Sequence, residues 1–214
     1  MSYNYNYPRP MVTVDAVVFG LDKDKLQVLL VKRGKDPYRD RWALPGGFVD
    51  IDETLERAVE RELEEETGLA NLKLFHHKPY SIPDRDPRGR NISFAFTGFT
   101  LRSEKDVVAG DDAVEVRWFD ALEPPLLAFD HSEILSDAIL KLRELAFTSD
   151  IVASALPSPF EKEMLIKALE IVMDGELDST RTLAHFIETG LALPDSKEPG
   201  KLLAQPSLLQ GNDG

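Results

Sequence analysis

Two apolar runs stand near the start of the chain, residues 11–19 (MVTVDAVVF) and 26–31 (LQVLLV), both rich in β-branched residues. Such runs predict strands, and the polar turn at residues 21–25 between them predicts an antiparallel hairpin. Residues 32–41 read as a charged loop, and residues 42–44 lead into the break at Pro45-Gly46-Gly47. From Leu55 to Thr67 the apolar positions recur with the period of a helix, and Gly68 falls where a C-cap belongs. Residues 72–75, 92–100 and 114–119 predict further strands, and residues 84–90 (DRDPRGR) a charged loop. Beyond Pro124-Pro125 the pattern changes to helices over residues 132–147, 160–173 and 179–188, the last closed by Gly190. Short apolar runs at residues 191–193 and 202–204 follow, and the tail from Gln205 is expected to fray. The change of pattern divides the chain into residues 1–125 and residues 126–214.

Composition narrows the classes open to such a chain. Of 214 residues, 43% are hydrophobic and 29% charged, as in a soluble globular protein. No stretch approaches the roughly 20 apolar residues of a membrane helix, and the first ten residues lack the apolar core of a secretory leader. Cysteine is absent, which excludes disulfides and thiolate metal sites and is compatible with a cytoplasmic location. A metal must then be held by Asp, Glu or one of the 4 histidines. The net charge of −13 repels phosphate backbones and argues against generic nucleic-acid binding. Residues 150–214 share this bias, with 5 Lys and Arg against 11 Asp and Glu.

The predicted helix at 55–67 carries the clearest chemistry. At about 100° per residue, Leu55, Val59 and Leu63 fall in one arc, the face expected to meet a core. Glu62 and Glu66 point along the same arc, with Glu65 on its flank, while Arg57, Glu60 and Glu64 occupy the opposite face. Arg61 lies between the two faces, one turn before Glu65, where it can orient that carboxylate. Carboxylates crowded at the core-facing end of a helix repel one another and are costly to desolvate. A divalent cation removes both costs, and hard oxygen ligands without His or Cys favour Mg²⁺ or Mn²⁺ over zinc. The competing reading, a helix whose glutamates are simply solvated, leaves the place of Glu62 and Glu66 on the apolar arc unexplained.

Gly47, Glu53, Arg61-Glu62-Leu63, Glu65-Glu66 and Gly68-Leu69, with their spacings, resemble a complete Nudix box, all nine positions matching. The similarity extends to Arg9-Pro10, to Trp42-Ala43-Leu44-Pro45 and to Asp86-Pro87-Arg88-Gly89-Arg90, covering at least residues 9–120. The resemblance implies an α/β class: a Nudix α/β/α sandwich with a mixed sheet, then a small, mostly helical, winged-helix-like domain. It also implies metal-dependent cleavage of a nucleoside diphosphate derivative. Glu62, Glu65 and Glu66 would be the principal metal ligands, with the backbone of Gly46 or Gly47 near the same cation. Glu53 would bind the metal or its water, and Arg61 would hold Glu65 or Glu53 in place. Glu65, Asp111, Asp112 and Glu115 stay open as the general base.

Arg33, Arg88 and Arg90 are candidates for diphosphate or ribose oxygens, since guanidinium suits bidentate phosphate contacts. Tyr80 or Phe94 are candidates for stacking on a base. Pro83, fourteen residues past Leu69, resembles the proline of family members that hydrolyse ADP-ribose to AMP and ribose 5-phosphate. The two-part layout also resembles Nudix regulators that sense such nucleotides and bind DNA. Against that role, the would-be recognition helix Ser179–Glu188 offers only Arg181 and His185. The candidate wing at 195–201 sets Lys197 and Lys201 against Asp195 and Glu198. An enzyme is therefore expected, a homodimer whose C-terminal part is a dimerisation or substrate-shaping appendage. His131, after Asp130, is expected to make a hydrogen bond at a helix start.

Overall fold

The first apolar run becomes β1 (Met11–Asp22), a central strand of a mixed seven-stranded sheet. In the computed structural model, which describes residues 6–22, 24–101, 107 and 113–204, β1 pairs antiparallel with β2 (Lys25–Arg33), forming the expected hairpin. On its other side it pairs parallel with β6 (Asn91–Leu101) along its length. The order is β3-β2-β1-β6-β5, with β3 (Trp42–Ala43) and β5 (Leu74–Tyr80) as its ends. Two further strands attach to this path: β4 (Gly46–Phe48) pairs with β1, and β7 (Ala113–Asp120) with β2.

Side chains alternate across a strand, so β1 feeds two cores. Val14, Ala16 and Val18 belong to the buried cluster containing Ala58, Val59 and Leu63 of α1 (Leu55–Thr67). Val17 and Phe19 belong to the cluster containing Ile134, Leu135 and Ala138 of α2 (His131–Thr148). A strand covered on both faces has no polar side to show, which is why β1 reads as a continuous apolar run. The sheet between helices is the expected α/β/α sandwich.

Several boundaries depart from the sequence reading, each for a local reason. The strand expected at 72–75 runs instead from Leu74 to Tyr80, with a bulge between His76 and Pro79. It is an edge strand, which tolerates histidine, lysine and proline that hide it from an apolar pattern. β3 and β4, only 2 and 3 residues long, are held by pairing to β2 and β1 rather than by any run of their own.

In the C-terminal part, Phe160–Glu161 form a short strand, β8, and α3 (Lys162–Met173) starts after it. α4 (Ser179–Glu188) has the expected limits, its N-cap Asp178 accepting from Arg181 N. The two late apolar runs become β9 (Ala192–Pro194) and β10 (Lys201–Ala204), which join β8 in a sheet of order β8-β10-β9. Helix, strand, two helices and a hairpin is a winged-helix-like order, and residues 195–200 form the hairpin loop. α2 belongs to both parts: its later residues Leu142, Leu145 and Ala146 share one buried cluster with Leu165, Leu169 and Phe186. Among the described residues no helix is long and apolar enough to cross a membrane.

Candidate active site

The local sequence sets the limits of α1. The Thr54 side chain accepts from Arg57 N at its start, and Gly68 ends it in the left-handed region at φ 75°. Between these caps the buried side chains are Ala58, Val59, Leu63 and Thr67; Arg57, Glu60 and Glu64 are exposed. Glu62 and Glu66 are half-buried beside the apolar residues, and Glu65 is exposed on the flank.

Arg61 is the hub of the acidic cluster. Its Nε and Nη2 donate to the two Glu53 oxygens at 3.1 and 2.6 Å, a bidentate pair. Nη1 donates to Glu62 Oε1 at 2.9 Å and to Glu65 Oε2 at 3.2 Å, and Nη2 also to the Phe48 carbonyl at 3.0 Å. These bonds raise the Arg61 pKa further, and those to Glu53 hold that carboxyl below the usual range. One guanidinium thus fixes three carboxylates against β4.

β4 brings the glycine pair under α1. Gly46 N donates to Glu66 Oε2 at 2.9 Å, and Gly46 itself sits at φ 155°, where a β-carbon would lie 2.1 Å from the Val14 carbonyl. Burial is the main influence on both neighbouring carboxyls: it pushes Glu66 up to about 8 and raises Glu62, against the pull of Arg61. Glu62 keeps Arg61 as its counter-charge and Glu66 feels Arg33 only at longer range, yet burial outweighs both.

A cleft of about 420 Å³ is lined by Glu62, Glu66, Arg61, Gly46 and Gly47 together with Arg33, Arg85, Asp86, Arg88, Phe129 and His131. A buried polar network lies beneath it. Arg85 donates from Nε and Nη2 to Asp130 at 2.8 and 2.6 Å and faces Asp15 at 3.7 Å; Ser93 Oγ also donates to Asp15. Asp130 is the N-cap residue of α2, so its charge meets both Arg85 and the positive end of a helix. His131 Nδ1 accepts from Leu44 N at 2.9 Å, which leaves the proton on Nε2, 3.5 Å from Asp15 Oδ1. The hydrogen bond expected of His131 is therefore made to Leu44, between β3 and the glycine pair.

The sequence candidates divide by position. Glu53, Arg61, Glu62 and Glu65 are joined, and Glu66, Gly46 and Gly47 face them. Arg33 and Arg88 line the cleft, Arg88 held by Asp86 at 2.7 Å. Arg90 lies elsewhere, donating to the carbonyls of Ser81 and Asn91 at 2.9 and 3.1 Å. Tyr80 is also apart from the cleft: its ring is in the α2-side core, its hydroxyl donating to Asp137 at 2.9 Å. The longer β5 register turns Tyr80 inward. Phe94 packs against the α1-side core, and Glu115 pairs with Arg117. Asp111 and Asp112 lie outside the described residues. Sequence reading missed Asp15, Arg85, Asp130 and Phe129, although an acid inside an apolar strand, as at Asp15, signals a buried partner.

A divalent cation fits the chemistry of these donors. Glu62 and Glu66 offer oxygen only, beside the bare Gly46-Gly47 backbone, and the raised Glu66 carboxyl is one that a cation would restore to its charged form. Among the described residues no three acidic or imidazole groups are gathered as a metal site, and Glu53, Glu62 and Glu65 are bonded to Arg61 instead.

Comparison with known proteins agrees with the box. A NUDIX domain model matches residues 9–138. An ADP-ribose pyrophosphatase of Methanocaldococcus jannaschii is 46% identical over 131 residues, which are 61% of this chain and 74% of that protein. An ADPR responsive transcriptional repressor, NtrR, of Acinetobacter baylyi is 32% identical over 207 residues, 94% of this chain and 82% of the repressor. A crystal structure of a MutT/nudix family protein from Enterococcus faecalis superposes with a TM-score of 0.83 at 29% identity, covering 95% of this chain and 90% of that one. The chain belongs to the Nudix family, with its pyrophosphohydrolase domain spanning the matched residues.

Proposed function

We propose that this protein hydrolyses the pyrophosphate of a nucleoside diphosphate derivative, with ADP-ribose as substrate and AMP and ribose 5-phosphate as products. The observation that carries this reading is one cleft lined by the Glu62 and Glu66 carboxylates, the bare Gly46-Gly47 backbone, and Arg33 and Arg88. A diphosphate flanked by two sugars offers contacts at both ends, and those remote contacts align the scissile bond. The match to the Methanocaldococcus enzyme supports the same substrate.

Glu62 and Glu66, with the Gly46-Gly47 backbone, would hold Mg²⁺ or Mn²⁺; Glu53 and Glu65 complete the acidic set. When bound, the cation supplies charge neutralisation and Lewis acidity at the diphosphate. Arg61 keeps Glu53, Glu62 and Glu65 in place and is not itself chemical. Arg33 and Arg88 bind diphosphate oxygens.

Competition between ADP-ribose and dGTP in one reaction with Mg²⁺ or Mn²⁺ tests the reading, since relative rates report relative kcat/KM. We expect ADP-ribose to disappear first, with AMP and ribose 5-phosphate formed in equal amounts. Consumption of dGTP first would overturn the substrate assignment.

A second reading, a nucleotide-responsive DNA-binding regulator, is favoured by the Acinetobacter repressor matching nearly the whole chain. The surface weighs against it. Arg181 is the one exposed basic residue of α4; His185 is tied through Nε2 to the Phe147 carbonyl at 2.9 Å. In the hairpin, Lys201 pairs with Glu198 at 2.7 Å. We therefore assign residues 126–214 to dimerisation or substrate shaping, to be checked by light scattering of the full chain. A tight, sequence-dependent shift of duplex DNA from the protein's own upstream region, relieved by ADP-ribose, would reverse the ranking.

A further inference from the structure

Phe129 stands at the corner where the chain enters α2, and its backbone is in the left-handed region at φ 50°. That conformation strains a bulky aromatic residue, and a glycine would occupy it freely. The ring must therefore supply something a glycine cannot.

Two cationic side chains meet that ring. The Arg33 guanidinium carbon is 4.8 Å from its centroid and that of Arg88 is 5.5 Å away, with Arg88 also 5.0 Å from the Phe48 ring. All four residues line the cleft. The two guanidinium groups are held in different ways. Arg88 is forked onto Asp86, whereas Arg33 donates Nε to the Pro37 carbonyl at 2.9 Å. Among the described residues no carboxylate lies within ion-pair distance of Arg33. Burial, and then the neighbouring Arg88, hold Arg33 below the usual guanidinium range. Two like charges gathered on one ring, Arg33 drawn by Glu66 and Asp86 only from beyond ion-pair distance, make a place that gains when an anion arrives. From the far side Tyr38, itself at φ 64°, meets Phe129 edge-on at 4.7 Å and fixes the ring.

We propose that Phe129 is a positioning and specificity-determining residue: it holds Arg33 and Arg88 for the second phosphate and terminal sugar of a two-sugar diphosphate. The inference rests on the reading of the cleft as a nucleoside diphosphate site. A nucleoside monophosphate does not reach this pair, so Phe129 discriminates between ligands sharing the same nucleoside.

The test uses the full chain with Mg²⁺, measuring KM and kcat for ADP-ribose and the inhibition constant of AMP. Phe129→Leu keeps apolar volume and removes the π face. We expect its KM for ADP-ribose to rise roughly five- to tenfold, the scale of a partly desolvated cation–π contact. Its kcat and the AMP constant should stay within about twofold, and Phe129→Tyr should restore the KM. Arg33→Lys keeps the charge and loses the planar stack, so it should give the same split without disturbing the corner. If Phe129→Leu does not fold, Arg33→Lys decides the matter alone. An unchanged KM in Arg33→Lys overturns the proposal, as does Phe129→Leu raising KM and the AMP constant together. If the wild type leaves ADP-ribose intact, the reaction assignment fails by itself. The same comparison is then made with dissociation constants for ADP-ribose and AMP by calorimetry.

Discussion

A β-carbon added to Gly47 would lie 2.3 Å from Oε1 and 2.4 Å from Cδ of Glu62, so the glycine and the carboxylate are packed face to face. Glu62 cannot simply swing away, because its Oε1 accepts from Arg61 at 2.9 Å. Gly47→Ala should therefore displace the Glu62 carboxylate and lower kcat/KM for ADP-ribose by about a hundredfold, the usual effect of an ångström of misplacement. Its unfolding midpoint should move by only a few degrees. Full activity in this variant would mean that the position of Glu62 does not matter.

Glu66 gives a second prediction, with a definite sign. In the metal-free fold its carboxyl is pushed up to about 8 from an ordinary 4.5, chiefly by burial. The folded chain then keeps a proton that the unfolded chain releases, so stability falls as pH rises from about 4.5 to about 8. Glu66→Gln should abolish that slope and stabilise the metal-free protein at pH 8 by on the order of 1–3 kcal/mol, while lowering kcat by orders of magnitude. Denaturant melts in EDTA at several pH values decide the first point. Mg²⁺ binding at pH 7 should release a proton, measurable as a calorimetric enthalpy that changes with the ionisation enthalpy of the buffer.

Arg61→Lys isolates the fork. A lysine keeps the charge but cannot reach Glu53 in a bidentate pair and the Phe48 carbonyl at once. We expect kcat to fall by about ten- to a hundredfold with a small change in KM, the pattern of lost alignment rather than lost binding. A variant with wild-type kcat would show that the carboxylates need no orienting partner.

The helix α1 that lines this cleft was legible in sequence, and most of the remaining lining was not. α1 announced itself because its apolar period, its glycine cap and its acidic residues all lie within one continuous segment. Glu62 and Glu66 could be placed on the buried arc by counting residues. The rest of the lining comes from Asp15 on β1, Arg85 and Asp86 in a loop, and Phe129 and His131 at the start of α2. Those residues are far apart in the chain and meet only once α2 has crossed the sheet. The loop at 84–90 read as a charged loop with Arg88 and Arg90 as substrate candidates, yet Arg85 and Asp86 are buried, Asp86 with Arg88 of the same loop and Arg85 with the distant Asp130. Arg90 sits in the same loop and turns to backbone carbonyls instead. Side-chain direction in an irregular loop is set by tertiary contacts, so charge type alone could not separate the three arginines.

His131 links the start of α2 to Leu44, and its removal is the last test. The imidazole is 5% exposed, accepts from Leu44 N through Nδ1, and so ties the start of α2 to the segment carrying Gly46. Accepting that bond requires an unprotonated Nδ1. Burial, the largest influence, holds the imidazole below its ordinary value of 6.5. The folded state thus binds fewer protons than the unfolded state just below that pH. The stabilisation is fully present above about 6.5 and is lost as the pH falls. Glu66 contributes the opposite slope below pH 8, so the experiment is cleanest in a Glu66→Gln background. There, denaturant stability should decline from pH 7 to pH 5, and His131→Asn, whose side-chain oxygen can still accept from Leu44 N, should lessen the decline, with His77, also held down by burial, supplying part of the remainder. His131→Phe removes the acceptor altogether and should cost about 1–3 kcal/mol at pH 7, the penalty of a buried amide left without a partner. Retention of the pH slope in His131→Asn would assign the acid sensitivity to another group and sink this account.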